Sequence, residues 1–81
     1  MSTNIVHEYF KKETDEVKIL VKINPIHLKG IELTIHQWPG ETPAIDMREL
    51  EFDEEIREDL KVDGFLPSSA MEFNLYYSGL A

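Results

Sequence analysis

The segment EVKILVKINPIHLKGIELTIHQW, residues 16–38, is the part of this chain against which the rest must pack. It contains two runs in which apolar and polar residues alternate, which is the period of a half-buried β-strand. The apolar positions are Val17, Ile19, Val21 and Ile23 in the first run and Ile31, Leu33 and Ile35 in the second. Asn24-Pro25 interrupts the pattern, because proline lacks a backbone donor and restricts the residue before it. The segment therefore predicts two neighbouring antiparallel strands, connected by residues 24–30.

The residues on either side extend this pattern less clearly. Residues 5–12 alternate imperfectly and are predicted to form a first strand, which a polar turn at residues 13–16 joins to the next. Residues 38–40, Trp-Pro-Gly, end the third strand. Residues 1–4 are expected to be a frayed terminus.

The second half of the chain begins with a stretch that has no clear period. Residues 41–51 are interpreted as a loop or short turn, anchored by Ile45, Met47 and Leu50. A helix is predicted from Asp53, which can cap its start, to a stop at Gly64. Its apolar stripe is Phe52, Ile56 and Leu60.

The last run, residues 70–78, fits two structures. As a strand, it places Met71, Phe73, Leu75 and Tyr77 on one side with regular alternation. As a helix, it begins with the capping-box pattern of Ser69 and Glu72. We favour the strand because the alternation is regular and aromatic residues are enriched in strands. The expected fold is α+β: a small four-stranded, mostly antiparallel sheet (β-β-β-α-β) with one helix packed on one face.

Composition narrows the functional classes. A chain of 81 residues supports a single domain, residues 1–81, and it contains no cysteine. Thiol catalysis, cysteine zinc sites and disulfides are therefore excluded, and a reducing cytoplasmic location is expected. No apolar run is long enough for a membrane helix, so no membrane association is expected.

The net charge of −8 is concentrated in the second half of the chain. Residues 1–40 contain five lysines and five acids, whereas residues 41–81 contain three basic and eleven acidic residues. An acidic surface repels phosphates, so no nucleic-acid partner is expected. A basic protein surface is a candidate partner for the exposed acids of the predicted helix, which are Glu54, Glu55, Glu58 and Asp59.

No motif for a cofactor, a metal or a reaction is present. His7, His27 and His36 lie on different predicted elements without metal-ligand spacing, and the acidic residues lack the pattern of a calcium loop. We therefore predict no cofactor, no metal and no catalytic residue.

One surface invites a functional hypothesis. The odd-numbered apolar residues of both runs are expected to share the face that the single helix covers. The opposite face would then be open and would present Leu20, His36, Trp38 and Tyr76. Tryptophan and tyrosine are enriched where proteins bind each other. A purely structural alternative is that Trp38 and residues 41–51 close a second small core on this face. The sequence thus favours a non-enzymatic domain that binds a protein partner or forms a homodimer through this face. The alternative is a small metal-assisted or acid/base enzyme that uses His36 with Tyr76 or Glu72.

Overall fold

In a computed structural model, which describes residues 7–37, 40 and 42–78, the chain forms an antiparallel sheet with one helix on each face. The strands are β1 (Glu8–Glu13), β2 (Val17–Asn24), β3 (Lys29–His36), β4 (Ala44–Glu51) and β5 (Leu66–Pro67). The helices are α1 (Ile56–Val62) and α2 (Ala70–Tyr77). The spatial order is β4-β3-β2-β1-β5, so the first four strands form a meander. The α+β class and the antiparallel sheet are confirmed, but the prediction of four strands and one helix is wrong.

The turn between β2 and β3 is built by Asn24. Its side-chain oxygen accepts hydrogen bonds from the backbone N–H groups of Ile26 and His27, at 3.0 and 3.1 Å. Leu28 then takes a left-handed conformation, with φ of 54°, and β3 begins at the next residue. The turn is thus shorter than the predicted connection, because asparagine holds it with its own side chain.

The register between β2 and β3 places their apolar runs on opposite faces. Leu20 is opposite Leu33, whereas Val21 is opposite Glu32. We expected the odd-numbered residues of both strands to share a face, and this is wrong. β2 therefore has buried side chains on both faces. Leu20 is buried on one face, and Val21 and Ile23 are buried on the other.

Two separate apolar clusters fill the two faces. On the α1 face, Val21, Ile23 and Leu60 are buried, and the surrounding partly buried residues are Phe10, Ile19, Phe52, Ile56 and Phe65. On the α2 face, the buried residues are Leu20, Leu33, Ile35 and Phe73. Each fully buried side chain of this kind contributes about 1.5 to 3 kcal/mol to the stability of the fold. Both helices are therefore needed, because each covers one of the two clusters.

Three local predictions are corrected. Residues 44–51 form β4 rather than a loop; Ile45 packs on the α2-face cluster, but Met47 is half exposed. Residues 70–77 form α2 rather than a strand, as the capping alternative required. α1 begins at Ile56 rather than near Asp53, whose carboxylate instead accepts from the N–H of Glu55.

Candidate functional site

The face predicted to be open is covered by α2. Leu20 is only 1% exposed and lies in one cluster with Phe73 and Leu33. Tyr76 packs at the border of this cluster, where the ammonium group of Lys18 lies 5.1 Å from its ring centroid. Both residues therefore act in the core rather than on a docking surface.

The other two predicted interaction residues do not join them. His36 is opposite Val17, on the α1 face, and its Nε2 lies 3.4 Å from a carboxylate oxygen of Asp46. Trp38 lies outside the described residues. The sheet thus stands between His36 and α2, and the structure does not bring His36 together with Tyr76 or Glu72.

The described residues give little support for a metal site or for catalysis in a cavity. Among the described residues, no group of three or more histidine and acidic side chains could hold a metal ion. One hollow of about 200 Å³ is lined by His7, Lys22 and Lys29 without a carboxylate. Another, of about 130 Å³, is bordered by the ion pair of Glu8 and Arg57. In the part of the chain that the structure describes, neither hollow is lined by a serine or threonine hydroxyl.

A polar network attaches α2 to the sheet. The hydroxyl of Ser68 donates to Glu72 over 2.9 Å, and the ammonium groups of Lys11 and Lys18 lie 3.5 and 3.7 Å from its carboxylate oxygens. Partial burial alone would raise the pKa of Glu72, but this hydroxyl and the two lysines outweigh burial and lower the pKa. The network therefore stabilises α2 while Glu72 is ionised.

The predicted acidic surface lies on the α1 side of the sheet. Glu54 and Glu55 are exposed in the turn before α1, and Glu58 and Asp59 are exposed in its first turn. Between them Arg57 reaches back to Glu8 of β1 and forms an ion pair. These carboxylates form a solvated acidic face, and Glu54 also borders the hollow of about 130 Å³ beside Glu8 and Arg57.

The outer side of α2 is apolar, which the sequence analysis missed. Met71 is 82% exposed and Leu75 is 71% exposed, one helical turn apart. The strand interpretation had placed both inside. Reading residues 69–72 as a helix start would have revealed them, because Glu72, Phe73 and Tyr76 then turn toward the sheet. Met71 and Leu75 turn away from it.

The two edges of the sheet differ strongly. At one edge β5 has two residues, and the second is proline, which has no N–H to offer. At the other edge β4 pairs with β3 over eight consecutive residues without a bulge. Within the described ranges no strand pairs with the outer side of β4.

The hydrogen-bonding pattern shows which groups of β4 face outward. The N–H of Phe52 donates to the carbonyl oxygen of Leu28 over 2.8 Å, one step beyond the paired ends of β4 and β3. Hydrogen-bonded pairs alternate along an antiparallel ladder. Even-numbered residues of β4 thus turn their backbone groups toward β3, and odd-numbered residues turn theirs away. The outward set is Ile45, Met47, Glu49 and Glu51.

Comparisons with known proteins add nothing to this geometry. No protein-family model, curated protein or solved structure matches the chain. Neither described helix is long and apolar enough to cross a membrane.

Proposed function

We propose that this chain is a small protein-interaction domain that pairs an extended segment of its partner with the outer edge of β4. The observation that carries the proposal is the run of outward backbone groups along an eight-residue strand, from Ile45 to Glu51. In strand addition, main-chain hydrogen bonds supply the affinity and alternate side chains supply the specificity. This class of binding needs no cofactor.

Side chains on β4 add to the main-chain groups. Met47 is 49% exposed and lies opposite the buried Leu33, so it extends the apolar surface of the α2 face to the edge. Asp46 and Arg48 are exposed on the other face. A partner strand would therefore meet Met47 between Ile45 and Glu49 on one face. On the other face it would meet two opposite charges, Asp46 and Arg48.

The apolar side of α2 favours a second candidate, in which the partner docks on Met71 and Leu75. Exposed apolar residues one turn apart can fit a groove of another protein. The alternative of an enzyme that uses His36 with Tyr76 or Glu72 has less support, because the sheet lies between His36 and α2.

Proline at position 47 tests the role of the β4 edge directly. The N–H of Met47 points away from β3, so Met47→Pro removes an outward donor and leaves the ladder between β3 and β4 intact. We expect Met47→Pro to reduce capture of a partner from native cell extract by about ten-fold or more, because the proline ring also obstructs an added strand. Glu49→Pro removes another outward donor and should reduce capture of the partner to a similar extent.

Two controls separate main-chain pairing from side-chain docking. Met47→Ala keeps the N–H group and should retain most of the capture, and circular dichroism should show the native fold in each variant. Met71→Ser/Leu75→Ser leaves β4 unchanged and should retain the same partner. Capture that survives both proline variants and is lost with the α2 variant would overturn the proposal in favour of helix docking.

A further inference from the structure

We infer that the strand paired with β4 is β4 of a second copy of this chain, antiparallel to the first, with Met47 of both copies at the two-fold axis. The inference rests on the proposed function of the β4 edge and names its partner. The sequence of β4 allows one favourable register with a second copy of itself.

The symmetry of a continuous sheet limits that register. A two-fold axis perpendicular to the sheet keeps each face on its own side, so side chains of one face pair with side chains of the same face. Successive residues alternate between the two faces. Each odd-numbered residue must therefore lie opposite an odd-numbered residue of the other copy, and each even-numbered residue opposite an even-numbered one. The axis then passes through a residue, and that residue opposes its own copy.

Charge selects one residue for the axis. Near the middle of β4 the choices are Asp46, Met47, Arg48 and Glu49. An axis at either acid or at the arginine places two like charges directly opposite each other, which destabilises strand pairing. Only Met47 is uncharged, and with Met47 on the axis Asp46 of each copy opposes Arg48 of the other.

The described geometry favours these cross-strand pairs. The odd-numbered residues point their backbone groups outward, so Ile45 with Glu49 and Met47 with Met47 would form hydrogen-bonded pairs, giving about six main-chain bonds. Asp46 and Arg48 would then fall in the more closely spaced pairs, where side chains approach best.

The charged side chains also have room to reach across. The side chain of Asp46 is 80% exposed and that of Arg48 is 67% exposed. Arg48 already binds Glu32 at 2.8 Å on the same face, so it would lie between two carboxylates. Charged edges discourage pairing with unrelated strands, while the same charges favour this one register.

Complementary charge variants test the register. Asp46→Arg places arginine opposite arginine, and Arg48→Asp places aspartate opposite aspartate, so each should raise the dissociation constant of its homodimer about ten-fold. An equimolar mixture places arginine opposite aspartate at both positions and should recover the affinity of the unaltered chain. Sedimentation at protein concentrations from about 1 μM to about 1 mM measures the dissociation constants of the two homodimers and of the mixed dimer. A mixture that associates no better than either variant alone overturns the register.

Single cysteines locate the axis independently, because the chain has none of its own. Opposed residues of a hydrogen-bonded pair have Cα atoms about 5.5 Å apart, within disulfide range. Met47→Cys should therefore cross-link rapidly on oxidation or with a short bis-maleimide. Glu49→Cys is the control, since the two copies of residue 49 would be separated by four positions, about 13 Å along the strand. Faster cross-linking at residue 49 would contradict an axis at Met47.

Self-pairing and the proposed function can fail separately. An unaltered chain that stays monomeric to about 1 mM and does not cross-link through Met47→Cys overturns self-pairing. If the proline variants still abolish partner capture in that case, the interaction edge stands with a different strand as its partner. If they have no effect either, the proposed function falls as well.

Discussion

A single glycine in β3 allows two strands and an aromatic ring to approach closely. A Cβ atom at Gly30 would collide with the carbonyl oxygen of Lys22 and lie 2.6 Å from Cε2 of Phe52. Gly30→Ala is therefore expected to lower the free energy of unfolding by about 1 to 3 kcal/mol, because the backbone of Lys22 and the ring of Phe52 must both shift. Urea denaturation measures the loss. Thr34→Ala, on the same strand and face, is the matched control and should cost less; equal losses would contradict this account.

At the scale of elements, α2 depends on the residue before it. The hydroxyl oxygen of Ser69 accepts the N–H of Glu72 over 3.1 Å, and its backbone is extended, as in a helix cap. We expect Ser69→Ala to destabilise the protein by about 1 kcal/mol, whereas Ser69→Asp retains the cap and should cost little. Thermal unfolding distinguishes them. The same loss for both variants would mean that the cap contributes nothing.

The sequence of α2 is compatible with both a strand and a helix. Most residues of α2 are apolar, so a two-residue period runs through Met71, Phe73 and Leu75. A helical stripe can equally be drawn through Phe73, Tyr76 and Tyr77. The cap at Ser69 is the signal that distinguishes the helix from the strand. Hydrophobic period alone could not separate the two structures, because a short run that is apolar all round satisfies either one.

β4 was missed for a different reason. Ile45 and Met47 lie on one face and Leu50 on the other, while half of its eight residues are charged, so neither a strand nor a helix period is visible. Pairing with β3 forms the strand, and tertiary pairing of this kind commonly overrides weak local preference. β2 and β3 were predicted well because their branched residues alternate. The register of β2 relative to β3 was predicted wrongly, since it depends on the turn that Asn24 makes.

For the whole molecule, the polar network around Glu72 makes stability depend on pH. The pKa of Glu72 is lower in the folded protein, so its contribution is fully present above the usual glutamate value of about 4.3 and is lost as the pH falls through the folded value. We expect the unaltered protein to lose more stability between about pH 6 and pH 3 than Glu72→Gln does. Urea unfolding at both values gives the comparison. Parallel losses would show that Glu72 is not coupled to folding.

The two-residue β5 has a consequence for the size of any assembly. It lies between α1 and α2, where the chain crosses from one face of the sheet to the other around β1. A sheet with two long open sides could add copies without limit and grow into a fibre. Here the chain itself occupies the side beyond β1 with a strand too short to extend further. Growth through β4 would therefore terminate at two copies, and the C-terminal crossing would act as the stop.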